Sequence, residues 1–77
     1  MNREMLVDHV KLAERHVNEG ERILKHQREV VAHLRRDQHS QPLIDSAETL
    51  LRSFEDVQRM HLEDLARLRT ELGLGVT

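Results

Sequence analysis

The 77-residue chain is 34% charged and 38% hydrophobic, with one Phe, no Trp, no Tyr, no Cys and a formal net charge of -2. That profile belongs to soluble helical or coiled-coil proteins, and it excludes disulfides and thiolate metal sites. No apolar run exceeds a few residues, whereas a membrane span needs about 20 and a signal peptide an apolar core of about 7 to 15. A cytoplasmic single domain with no membrane segment is therefore expected.

Asn2 is placed to cap a first helix over about residues 3–38, some 54 Å at 1.5 Å per residue. Leu6, Val10, Ala13, Val17, Gly20, Leu24, Gln27, Val31 and Leu34 recur at alternating steps of four and three, which keeps one face toward a partner helix. Gly20 interrupts this stripe at about 1 kcal/mol relative to Ala, so it is read as a notch that admits a large side chain such as Phe54 or His61. A second line, Met5, His9, Leu12, His16, Glu19, Ile23, His26, Val30 and His33, runs one residue behind the first.

The segment around residues 39–41 is a short turn, and Pro42 fits the first turn of a second helix over about 42–72. Here Ile44, Ala47, Leu51, Phe54, Gln58, His61, Leu65, Leu68 and Leu72 form the stripe, flanked by Leu43, Leu50, Val57 and Leu62. Gly73 suits a left-handed helix ending with Leu74 contacting the last turn, and residues 73–77 are expected to form a frayed tail. Two helices of similar length joined by so short a turn must run antiparallel, with residues whose numbers sum to about 80 as neighbours. Acid-before-base pairs at i, i+4, namely Glu21–Lys25, Glu48–Arg52, Glu55–Arg59 and Glu63–Arg67, support both helices.

The expected fold is therefore all-α: a helical hairpin whose extra apolar surface is covered by a second copy in an antiparallel four-helix bundle. The interface residues of this reading are Leu6, Val10, Ala13, Val17, Gly20, Leu24, Val31, Leu34, Ile44, Leu51, Phe54, Leu65, Leu68 and Leu72. Gln27 and Gln58, polar within apolar stripes, are read as register-fixing residues.

Candidate chemistry is confined to the six histidines. His9 and His16, like His26 and His33, are seven apart, about 10.5 Å along the axis, too far to share one metal ion. His16 with Glu19 and His61 with Asp64 form two His-x-x-carboxylate pairs that the hairpin places opposite each other, a set suited to Zn²⁺ or another divalent ion. The alternatives are interfacial histidines or a pH-responsive seam, since imidazole charges near pH 6.5. No phosphate loop, His-Glu-x-x-His or nucleophile elbow occurs, so no enzymatic activity is expected.

The half through Gln41 holds 8 Lys and Arg against 7 Asp and Glu, and the remainder 4 against 7. The one basic cluster, Lys25, Arg28, Arg35 and Arg36, lacks aromatics and is broken by Glu29 and Asp37, which argues against nucleic acid. The partners expected are a second copy or another helical protein. The function expected is a non-enzymatic interaction or scaffold module, with a metal-responsive bundle or a regulator using its exposed apolar seam as alternatives.

The run Ala13 to His39, with Ala47-Glu48, Leu51, Phe54 and Gln58-x-x-His61, resembles a group of short, uncharacterised helical-hairpin proteins of soil alphaproteobacteria. The resemblance implies a bacterial, cytoplasmic origin and adds no mechanism, because that group has no established activity. It draws attention to His16 and Gly20.

Overall fold

A computed structural model describes residues 2–73, which form two helices, α1 (Arg3–Arg36) and α2 (Gln41–Leu72), packed antiparallel. The hairpin measures 53 × 20 × 16 Å. Among the described residues no helix is long and apolar enough to cross a membrane.

Each helix begins and ends for a local reason. The Asn2 side chain accepts from the Met5 N–H at 2.8 Å, satisfying one of the donors that a helix start leaves free. At the other end α1 stops at Arg36, two residues short of the expected 38. Gln38 takes φ 55°, the left-handed conformation. Its N–H donates to the Arg35 carbonyl at 3.2 Å, and the His39 N–H donates to the Leu34 carbonyl at 3.0 Å. This is a Schellman closure built on glutamine, so the glycine or asparagine that would mark it in a sequence is missing. The connection accordingly spans residues 37–40 rather than 39–41.

Helix α2 starts at Gln41, one residue before the expected 42, with Pro42 in its first turn where a missing N–H costs nothing. The Ser40 carbonyl accepts from Leu43 and Ile44, each at 3.1 Å, while Gln41 donates from its side chain to Asp45 at 2.7 Å. Gly73 closes α2 at φ 84°, its N–H on the Thr70 carbonyl at 3.1 Å. The expected Leu74 contact and the remainder of the frayed tail lie outside the described residues.

The register follows the expected pairing. Arg3 donates to the Leu72 carbonyl at 3.3 Å at the open end, His16 meets His61 in the middle, and Arg35 pairs with Glu48 near the turn. Leu6, Val10, Ala13, Leu65, Leu68 and Leu72 form a buried cluster with Val7 and Val17 against it. Toward the turn Leu24, Val31, Ile44 and Ala47 are buried as well. Val17, Gly20, Leu34, Leu51 and Phe54, also placed in the stripe, are only half-buried, and among the described residues no side chain is completely enclosed. Two helices cover each other from one side alone.

Two glutamines hold the middle of this thin core. Gln27 is 6% exposed and donates to the Ala47 carbonyl across the hairpin at 2.8 Å. Gln58 is 4% exposed and donates in the opposite direction, to the Val17 carbonyl at 2.9 Å and to the Glu21 carboxylate at 3.0 Å. A buried amide without a partner costs on the order of 1 to 3 kcal/mol, so each glutamine penalises any alignment that removes its opposite carbonyl. Gly20 makes the Gln58 position possible. A Cβ there would lie 1.7 Å from Gln58 Oε1 and 2.6 Å from its Cδ. The notch is real, but Gln58 fills it rather than the expected Phe54 or His61, because a flexible amide reaches past the helix surface to a main-chain acceptor.

The ion pairs differ from the four expected. Arg59 pairs with Asp56 at 2.5 Å, Arg67 with Asp64 and with Glu71, and Glu48 crosses to Arg35. Glu21 accepts from Gln58. Exposed arginines have several acids within reach, and each exposed pair contributes only about 0.2 to 1 kcal/mol, so spacing alone does not choose the partner.

Two substitutions test these backbone assignments. Gln38→Gly should raise unfolding free energy by about 1 kcal/mol in urea denaturation, because glycine adopts the left-handed conformation without a Cβ penalty. Gly20→Ala should destabilise the chain by about 1 kcal/mol or more by expelling the Gln58 amide, yet stabilise a Gln58→Ala background by about 1 kcal/mol through helix propensity. Equal effects in both backgrounds would refute the notch.

Candidate functional site

The glutamine lock leaves the two flanks of the hairpin chemically unlike. On one, Glu14 approaches Arg69 at 3.8 Å and Arg35 meets Glu48, so charges cross between the helices, with Leu62, 47% exposed, on the same side of α2. On the other lie the apolar members of the second line. Met5, Leu12 and Ile23 of α1 and Leu43, Leu50 and Val57 of α2 are each 43% to 51% exposed. The spacing of seven within Met5–Leu12 and Leu43–Leu50–Val57 keeps each row on one side of its helix.

A hollow of about 80 Å³ opens near the middle of this apolar flank, between Ile23 and Val57, with Gly20 and Gln58 at its base and His16 and His61 beside it. The His16 and His61 rings lie 5.2 Å apart between centroids with their planes at 31°, a tilted aromatic contact. Gln58 Oε1 and His61 Nδ1 are buried without a protein hydrogen-bond partner. The hollow is too small for a typical small-molecule site of about 300 to 1,000 Å³, and it suits a side chain or ordered water instead.

Of the four residues placed in a metal site by spacing, the structure brings His16 and His61 together, and Glu19 lines the same hollow. Asp64 lies with His16 along a neighbouring depression, but its carboxylate holds Arg67. That hydrogen bond, with Glu71 on the other side, pushes the Arg67 guanidinium above its ordinary pKa. These four do not close into three donors within 4.8 Å of one another.

One group among the described residues does close in that way: His33, Asp37 and His39, all exposed at the turn. His33 Nε2 lies 3.0 Å from Asp37 Oδ2, and Arg36 approaches the other ring nitrogen, Nδ1, at 3.0 Å. By spacing, His33 belongs to the second line of α1, expected within the wide packed arc, and His39 to the turn. The i, i+4 spacing of His33 and Asp37 was a usable signal, whereas the return of His39 depends on the left-handed Gln38, which spacing does not reveal.

Comparison with protein-family models, with curated proteins and with solved structures found no match to this chain. The chemistry of its surfaces is therefore the basis for a functional reading.

The orphaned His61 nitrogen gives a direct test of the hollow. His61→Phe should leave unfolding free energy unchanged or raise it by up to about 1 kcal/mol, since a ring there keeps the aromatic contact with His16 while removing a desolvated polar atom. A loss above about 1 kcal/mol in urea denaturation would show that the nitrogen is satisfied in solution.

Proposed function

We propose that this chain is a non-enzymatic protein–protein interaction module whose apolar flank packs against a second copy, forming an antiparallel four-helix bundle. The supporting observation is the one-sidedness of the hairpin. Six large apolar side chains stand roughly half exposed along one flank, while the other flank carries the cross-helix charge pairs with Leu62 between Glu48 and Arg69 on α2. A row of this kind is stabilised when a neighbour removes it from water, by about 25 cal/mol per Å² of apolar area buried.

A second copy fits this flank well in chemical terms. A two-fold axis brings the same surface to itself, so apolar row meets apolar row without new charged partners being needed. The charged flank remains in water, where exposed ion pairs are at home. The histidines interleaved in the row present ring edges that can pack against aliphatic neighbours and keep a polar tip at the seam.

Sedimentation equilibrium of the full chain in EDTA tests this reading. The expected mass is twice 9.1 kDa. Leu50→Glu with Val57→Glu should weaken self-association at least about 100-fold, while Arg52→Ala on the same helix leaves it within about threefold. A wild-type monomer across the micromolar range, or a dimer indifferent to the two glutamates, would refute the proposal.

A further inference from the structure

We propose that His33, Asp37 and His39 form a binding site for a borderline divalent transition-metal ion such as Zn²⁺, at the turn where the second line of α1 ends. Their donor atoms lie within 4.8 Å of one another, with His33 Nε2 and Asp37 Oδ2 at 3.0 Å. Tetrahedral coordination at about 2.0 to 2.2 Å places neighbouring donors about 3.4 Å apart, so small side-chain rotations close the set. Two imidazoles and one carboxylate favour Zn²⁺, Ni²⁺ or Cu²⁺ over Mg²⁺ or Ca²⁺, which prefer all-oxygen shells.

The backbone under the three donors is held. His33 and Asp37 stand one turn apart at the end of α1, and the Asp37 N–H donates to the His33 carbonyl at 3.0 Å. Gln38 in the left-handed conformation reverses the chain, and the His39 N–H on the Leu34 carbonyl fixes the point from which the third donor returns. Three ligands on a fixed backbone leave one tetrahedral position for water or an outside group.

Arg36 is the built-in competitor. Its guanidinium approaches His33 Nδ1 at 3.0 Å and Asp37 Oδ1 at 3.8 Å, so it faces two of the three donor groups. The Arg36 side chain is 71% exposed, so a bound metal ion displaces it into solvent.

The test is calorimetric titration of the full chain with ZnCl₂. One ion per chain is expected, with His33→Ala, His39→Ala and Asp37→Asn each weakening binding at least about tenfold. Arg36→Gln should tighten it at least about threefold by removing a competing cation. His16→Ala and His61→Ala should leave it unchanged. Circular dichroism confirms that each variant is helical, and Arg36→Gln and Asp37→Asn keep hydrogen-bonding side chains at the turn should an alanine variant unfold. Absence of binding at millimolar Zn²⁺, indifference to His33 and His39, or loss on replacing His16 or His61 would each overturn the proposal.

Discussion

The Gln58 amide, seated against Gly20 and donating to the Val17 carbonyl, is the contact on which the hairpin depends. Leucine and valine rows tolerate sliding, because one apolar side chain replaces another at similar cost. An amide at 4% exposure does not slide, since its acceptor and its notch occur together at one place. Gln27 repeats the device from the other helix toward Ala47. The pair accepts some loss of apolar burial in return for a single alignment, the best-attested use of buried polar residues between helices.

That alignment decides what each flank presents. It brings Arg35 to Glu48 and Glu14 toward Arg69 on one side, and it leaves Met5, Leu12, Ile23, Leu43, Leu50 and Val57 uncovered on the other. The core itself is thin, with no side chain fully enclosed among the described residues. A thin core beside an uncovered apolar row gives a physical motive for association, and the hollow with its unpartnered Gln58 and His61 atoms lies on that same side. The proposed self-association and the register are thus linked: a slipped hairpin would scatter the apolar row that a second copy would bury.

Much of this was legible from residue spacing because helical periodicity is a strong signal over more than thirty residues. The two stripes, the Asn2 cap, Pro42 in the first turn of α2 and the Gly73 ending were all readable, as was the polar character of Gln27 and Gln58 within apolar rows. What spacing did not reveal depends on reach and on backbone conformation. Gln58 fills the Gly20 notch because its amide extends to a carbonyl on the other helix, and stripe geometry ranks bulk rather than reach. Helix α1 stops early because Gln38 enters the left-handed region without glycine. The His33, Asp37 and His39 group follows from that same turn, whereas the His16 and His61 meeting was accessible from the antiparallel register alone.

The most direct measurement is nuclear Overhauser spectroscopy on the isotopically labelled chain, observing the Gln58 side-chain amide protons. Slow exchange with water and cross-peaks to the Gly20 Hα protons and to Val17 are expected for an amide enclosed against α1. A rapidly exchanging amide with no contact to either residue would contradict the lock, and with it the alignment that separates the charged flank from the apolar one.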